Sequence, residues 1–480
     1  MNFLSSVLWI FFDKVFLVLL SIISFFLFAL YLEPSELGKG VIYVAIPGLL
    51  AGLFSGMIES PLVSKETVEQ DEYSTVLWFS VCLSLLLVTL TMAGGLLFLD
   101  NANDLLMLGL SVSTVVYILA GRPFLAKLRR EHNFKSIALR ALLAKCIGFV
   151  VGVTLAVEGY GAYAIVMQYV LQELISLLVM AYFMRDIIKF TFHKELLFNT
   201  LKMGRYLSIS AFSNSLINNG LPLVLGSVAG TASVGLFNFS NRIVSLPRDA
   251  VFHGINTYAL PSLSKIQNDK NLLEKKFSNS NRLASFMVFP LFFGLAAIAP
   301  LLINTVFSEK WADSVVYLQS LALIAVFRTF YLFHGSLFLI FKVPNIITKK
   351  ELVSSIISLL IIIILGGDIG AAAGVFAIGT YTFLSFLWNS LAVNKVIKYP
   401  FKQFLKDFTP AFTMSAIMSL IVYFTSISTL VEDEKTRLIL CLFVGAIAYI
   451  AMLCLVEKDN VKKLYHSRFK NEKNNIVSPK

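Results

Sequence analysis

Apolar runs of membrane-crossing length recur along this chain, with short polar breaks between them. They fall near residues 7–31, 38–60, 75–99, 104–121, 137–156 and 160–183, then 206–229, 233–258, 283–307, 313–336, 351–366 and 369–393, and last 408–428 and 437–456. A helix rises ~1.5 Å per residue, so about 20 apolar residues cross a ~30 Å hydrocarbon layer. Phe and β-branched side chains are plentiful, but lipid offers no hydrogen bonds to an open strand edge. Helix is the form that satisfies each segment's backbone internally. The pattern predicts an all-α polytopic membrane protein with about 14 transmembrane helices.

Composition agrees: of 480 residues, 57% are hydrophobic, 13% aromatic and only 14% charged, and the mean hydropathy is +0.78. A net charge of +11 would suggest nucleic acid in a soluble chain. Here the cations sit in short breaks between spans, which is the positive-inside pattern, so no nucleic-acid partner is expected. Basic breaks hold Arg122, Lys127, Arg129, Arg130 and Lys135; then Arg185, Lys189, Lys194, Lys202 and Arg205; then Lys265, Lys270, Lys275, Lys276 and Arg282. Lys342, Lys349 and Lys350 follow, then Lys395, Lys398, Lys402 and Lys406, and a basic tail from Lys458 to Lys480. The alternate breaks hold little more than Lys39, Lys310, Lys435 and Arg437, so both termini are expected in the cytoplasm. The N-terminal run lacks a basic n-region and a small-residue cleavage site, and is expected to be a retained first span. Cys82, Cys146, Cys441 and Cys454 lie within apolar runs with no CxxC pair, which excludes a metal or disulfide framework.

One span breaks the apolar rule. In Ser233–Lys265, helical spacing puts Asn238, Arg242, Ser245, Asp249, His253 and Asn256 on one side, while Val234, Leu236, Ile243, Val244 and Val251 fall elsewhere. A charge at mid-bilayer costs at least ~2.5 kcal/mol, so such a stripe is expected to face water or a partner. Arg242 could instead snorkel, or pair with Asp249 or another helix. Pro247 lies within the stripe and is expected to bend the helix or free a carbonyl, which cavity-lining helices tolerate.

The chain also repeats. PLVSK at Pro61–Lys65 recurs as PSLSK at Pro261–Lys265, each just after a long expected helix that begins behind Leu37-Gly38 or Val234-Gly235. The offset equals one six-helix half, so the expected organisation is 1–200, 201–400 and an appended 401–480 with two more helices and the tail. An even number of spans per half makes the halves parallel repeats, which commonly hold a substrate site between them.

Several stretches have a familiar look: VGLFNFSNRIVSLP at Val234–Pro247, LPSLSKIQND at Leu260–Asp269, FSEKW at Phe307–Trp311, NFKSIALRALLAKCIGFVVG from Asn133, and VEGYGAYAIVMQ at Val157–Gln168. Together they resemble the polysaccharide exporters of the Wzx flippase type, WzxC-like members above all. These sit in the superfamily that also holds MATE transporters and MurJ. The resemblance implies two six-helix lobes in a V shape. It also implies a lipid-linked oligosaccharide on undecaprenyl pyrophosphate as cargo, membrane lipids as surroundings, and a polysaccharide polymerase and chain-length regulator as partners in the bacterial inner membrane. Many relatives carry an acidic residue after the Asn pair of the seventh helix, whereas Asn218-Asn219 is followed by Gly220, so no carboxylate is inferred there.

Carrying a pyrophosphate through hydrocarbon requires cations in place of water. The intramembrane candidates are Lys14, Arg140, Lys145, Arg242, Arg248 and Arg328, against Asp13, Glu173 and Asp249. Arg suits phosphate because its planar fork donates two hydrogen bonds at once. Arg242 heads the cavity candidates, with Arg248, Asp249, Asn238, Lys14, Arg328 and Lys145. Lys14 and Arg140 are close enough to the cytoplasmic end to snorkel. Ser210, Asn214 and Asn218 share a face of the seventh helix and Gln168 and Gln172 one of the sixth, suited to sugars or to helix packing. Glu173 and Asp13 are candidates for ion coupling, with an ion pair to a cavity Arg as the alternative for Glu173. With no P-loop, GxSxG or HExxH, neither an enzyme nor a cofactor is expected. A drug or cation antiporter of the same architecture would prefer acidic or aromatic cavity walls. A membrane glycosyltransferase would need a larger external loop than the roughly ten residues present here.

Overall fold

The architecture comes from a computed structural model that describes residues 3–343, 345–397, 399–428 and 431–456; the side chains of 3–15, 206, 207, 210, 253, 256–258, 345 and 396 stand outside the description. The described elements are helices: α1 Phe3–Tyr31, α2 Pro34–Ser64, α3 Gln70–Phe98, α4 Ala102–Arg130, α5 Phe134–Val157, α6 Ala162–Phe183, α7 Lys194–Ser215 and α8 Leu221–Ser264. After them come α9 Lys270–Val306, α10 Ser314–Thr329, α11 His334–Ile340, α12 Asn345–Ile369, α13 Ala371–Ile397, α14 Phe401–Ile427 and α15 Glu434–Val456. Among the described residues, 12 helical runs are long and apolar enough to cross a membrane, and Phe16–Tyr31 of α1 is a shorter apolar helix. The run Ala211–Phe252 contains a break, so it supplies two of the expected spans.

Local chemistry sets the helix ends. Pro34 opens α2 in the first turn, where a missing N–H costs nothing, and the Glu33 backbone N–H donates to Glu36 Oε2 at 3.0 Å in a capping box. Asn101, Asn133 and Asp269 accept from the backbone N–H of Asn103, Ser136 and Leu272 at 3.0, 3.2 and 3.0 Å, starting α4, α5 and α9. Inside α8, Gly230 takes φ 82° and ψ 170°, a conformation that residues with a Cβ resist. The expected spans 206–229 and 233–258 meet at that residue. Pro247 sits inside α8, where its missing N–H frees one carbonyl of the preceding turn, and Gly230 has non-helical φ/ψ.

The packing divides the chain into two units: the described residues of Met1–Arg242 with Asn345–Ser385, and those of Ile243–Pro344 with Phe386–Lys480. In the first, Ile58, Leu62, Val76, Val112, Leu119 and Val166 bury a core among α2, α3, α4 and α6. In the second, Ala297, Ile298 and Leu301 of α9 pack with Met414, Met418 and Val422 of α14 and Cys441 and Tyr449 of α15. Stacked and edge-on rings of Phe289, Phe330, Phe404 and Phe408 extend that core.

Within the first unit the two glycines of the repeat meet. A Cβ on Gly38 would fall on the Thr231 carbonyl oxygen, and one on Gly235 would fall on that of Pro34. Both obstacles are backbone, so α2 and the arm of α8 after Gly230 approach as closely as they do because neither residue has a side chain. The helix limits repeat as well: α2 ends at Ser64 and α8 at Ser264, while α3 begins at Gln70 and α9 at Lys270.

Candidate functional site

The intramembrane charges gather into two clusters, one in each unit. In the first unit, Lys145 of α5 lies within electrostatic reach of Arg242 of α8 and Glu173 of α6. Glu173 also interacts with Arg140 of α5 and Arg122 of α4, and Tyr169, one turn before it on α6, interacts with Glu173 and Arg122. Arg122 Nη1 in turn donates to Glu59 Oε2 of α2 at 2.9 Å, and Arg129 Nη1 donates to the other oxygen of that carboxylate. Arg242 and Lys145 are like charges held near each other in low-dielectric surroundings, with Glu173 as the carboxylate beside Lys145. Such an arrangement favours an anion between the cations.

The second unit repeats the theme. Arg248 Nε donates to Asp249 Oδ1 at 3.0 Å, and Arg248 also interacts with Arg328 of α10 and with Tyr331. The Arg248 side chain is 17% exposed and that of Asp249 69%, so the carboxylate points out and the guanidinium in. Asp249, offered by the sequence as a partner for Arg242, accepts from its neighbour Arg248.

The neutral candidates separate into two kinds. Ser215 Oγ donates to the Gly48 carbonyl at 3.0 Å and Asn219 Nδ2 donates to Ser215 Oγ at 3.0 Å, which fastens α7 to α2. The chain then widens into a π turn at Leu216–Gly220, a local form that recurs at functional sites. On its outer side Asn214 and Asn218 are exposed, with Asn218 Nδ2 donating to the Asn214 carbonyl at 2.9 Å. Asn238 is half-buried and Ser245 buried, on the same helix as Arg242. Gln168 serves packing: its Oε1 accepts from Ser24 Oγ at 3.0 Å and its side chain fills the space beside Gly152. Asp13, Lys14, Ser210, His253 and Asn256 have side chains outside the described residues.

Sequence reasoning passed over Glu59, Tyr169 and the inward role of Arg122. Glu59 is 7% exposed and sits inside a predicted span, so an ionisable residue in an apolar run was the available signal. Arg122 reads from sequence as a loop cation because it opens a basic cluster. In the structure α4 continues to Arg130 and carries it within the helix. Among the described residues no group of His, Cys, Asp and Glu could hold a metal ion.

The Polysaccharide biosynthesis protein family matches residues 27–316. The chain belongs to that family. It is 21% identical over 420 residues to the teichuronic acid biosynthesis protein TuaB of Bacillus subtilis, covering 84% of this chain and 85% of that protein. It is 25% identical over 378 residues to the lipopolysaccharide biosynthesis protein WzxC of Escherichia coli, covering 78% and 76%. Among solved structures, the lipid II flippase MurJ in an inward closed conformation superposes with a TM-score of 0.74 at 18% identity, over 95% of this chain and all of that one. An inward-facing multidrug MATE transporter of the MOP superfamily superposes at 0.59 and 19% identity, over 80% and 95%. This family member therefore has the all-helical MurJ and MATE fold that its sequence resembles.

Proposed function

We propose that this multi-pass membrane protein is a flippase for a lipid-linked oligosaccharide repeat unit, carried on undecaprenyl pyrophosphate. It acts in the bacterial inner membrane with both termini cytoplasmic, for O-antigen, capsule or exopolysaccharide synthesis. The names of its relatives supply the substrate class: TuaB, WzxC and the succinoglycan transport protein ExoT of Rhizobium meliloti all serve polysaccharide biosynthesis or transport.

The observation that carries the reading is the pairing of like charges inside the spans, Arg242 with Lys145 and Arg248 with Arg328. Each pair of cations has one carboxylate beside it, Glu173 at Lys145 and Asp249 at Arg248, and a pyrophosphate bridged by guanidinium forks would bring further negative charge to them. Arg242, Arg248, Arg328, Lys145 and Lys14 hold the phosphates. Asn214, Asn218 and Asn238 meet sugar hydroxyls, and Asp249 orients Arg248. Glu173 and Asp13 serve ion coupling. Residues 1–200 and 201–400 work as two six-helix lobes, with 401–480 as an appended pair of helices and tail. A polysaccharide polymerase and a chain-length regulator receive the product. A cationic drug would be repelled by the same side chains.

The test is genetic. A chromosomal deletion is expected to lose the surface glycan and accumulate its lipid-linked repeat unit, and the wild-type gene should restore both. An unchanged glycan in the deletion strain overturns the proposal.

A further inference from the structure

In the second unit a cavity of about 290 Å³ lies where α11, the end of α13 and the start of α14 meet. Its walls are aromatic and aliphatic, from Phe386, Leu387, Leu391, Phe401 and Phe404, and its polar groups come from His334, Ser390, Asn394 and Tyr399. His334 is 1% exposed, and the Ser390 hydroxyl is buried with no hydrogen-bond partner among the described residues. A buried hydroxyl without a partner costs free energy, which a ligand oxygen entering the cavity would recover.

The wall is built firmly. Asp407, 4% exposed, accepts from Ser278 Oγ at 2.6 Å, from Gln403 Nε2 at 2.9 Å and from the Tyr399 hydroxyl. Burial and then the Asp407 carboxylate push the Tyr399 phenol up, so it remains a donor locked to that carboxylate. Phe277 packs edge-on against both Tyr399 and His334 at 5.2 and 5.6 Å, tying the site to α9.

The mouth is apolar and its surroundings basic. Leu391 and Phe401 are 68% and 62% exposed and form the lip. Lys395 follows the lining residue Asn394, Lys402 follows Phe401, and Lys406 stands one turn further along α14. All three lysines are exposed and make no ion pair among the described residues. The corresponding end of the first unit is different: Lys65 pairs with Glu72, Arg122 and Arg129 share Glu59, and Lys127 pairs with Asp186. Two hundred residues on, Glu59 and Glu72 are replaced by Ala259 and Leu272. Those cations of the first unit have carboxylate partners, whereas Lys395, Lys402 and Lys406 have none among the described residues.

We propose that this cavity binds one anionic phospholipid of the leaflet on the basic face, with acyl chain against Leu387, Leu391, Phe386 and Phe401, headgroup oxygens at Ser390 and His334, and phosphate between Lys395 and Lys402. An apolar lip opening onto hydrocarbon selects a lipid over a soluble anion, and the lysines select negative charge. Neither Arg248 nor Arg328 lines the cavity, and the site does not depend on the cargo assigned above.

Native mass spectrometry of the full-length protein released from detergent micelles, titrated with phosphatidylglycerol or phosphatidylcholine, tests it. The wild type should retain one phosphatidylglycerol in preference to phosphatidylcholine. Lys395→Gln/Lys402→Gln should weaken that first site on the order of 30-fold, the worth of two interfacial lysines. Lys265→Gln/Lys270→Gln removes equal charge on the same basic face away from the cavity and should leave the first site within about twofold of the wild type. An equal loss in both variants would mean diffuse attraction and overturn the site. Equal retention of phosphatidylcholine would overturn the charge selection, and displacement of the lipid by inorganic pyrophosphate would show that the pocket takes a soluble phosphate.

Discussion

Replacing Glu59 by Gln tests whether the first unit's charge network holds the helices together. Glu59 is the one carboxylate shared by Arg122, at 2.9 Å, and Arg129. Its side chain is 9% exposed, whereas those of Arg122 and Arg129 are 29% and 50% exposed. Removing one member of a fully buried pair costs roughly 3–5 kcal/mol because the other charge is stranded. Both arginines here can turn towards water, so the cost falls to about 2 kcal/mol. An entropy of unfolding near 2.1 cal/mol/K per residue over the roughly 280 residues of the first unit turns that into a midpoint lowered by about 3 °C. Thermal unfolding of the full chain in detergent, followed by loss of the monodisperse peak, would measure it. Arg122→Gln and the double variant complete a cycle, in which the pair should couple by at least about 1 kcal/mol. A Glu59→Gln midpoint equal to the wild type, or strict additivity in the cycle, would refute the reasoning.

Gly235→Ala should lower folded yield and cost about 3 kcal/mol or more, because the added methyl meets the Pro34 carbonyl rather than a side chain able to move. Fluorescence-detected size exclusion checks it, and a normal profile contradicts the close approach of α2 and α8. Burial raises the Asp186 carboxyl, but the hydrogen bond and charge of Lys127 outweigh it and hold the group below the ordinary Asp range. A depressed carboxylate stabilises above its unfolded value near ~3.9, and that stability is lost as pH falls through the folded value. Asp186→Asn should therefore cost under about 1 kcal/mol at neutral pH, and its difference from the wild type should shrink as pH falls below the unfolded value, as read by midpoints across pH. A C-terminal reporter fusion should be active in its cytoplasmic form, because cations crowd that side; activity only in the periplasmic form contradicts the orientation.

The apolar rhythm of the chain carried the architecture because lipid forces each span to be helical, and the break at Gly230 falls between two predicted spans. The polar ends of helices were harder to read. α9 begins at Lys270, well before the expected 283, since Asp269 caps it and KNLLEKKFSNSNR is helical without being apolar. α7 likewise starts at Lys194 rather than 206. In the site, Arg242, Lys145 and Glu173 were each visible as charges in apolar runs, but they come from three different helices, α8, α5 and α6. Only the packing brings them within reach of one another. Glu59 was hidden for a related reason: it lies one turn from the end of its span, beside Pro61, and its partners stand more than sixty residues away.

Flipping by the purified protein addresses the central claim most directly. Proteoliposomes loaded with a fluorescent undecaprenyl-pyrophosphate oligosaccharide, with the outer leaflet exposed to a membrane-impermeant quencher, report how fast label crosses. Wild-type protein should move label between leaflets. Arg242→Lys should keep part of the rate because charge persists while the bidentate fork is lost, and Arg242→Ala should reduce it to that of empty vesicles with the protein still inserted. A wild-type rate from Arg242→Ala would remove that arginine from the path, and no flipping by the wild type would contradict the function itself.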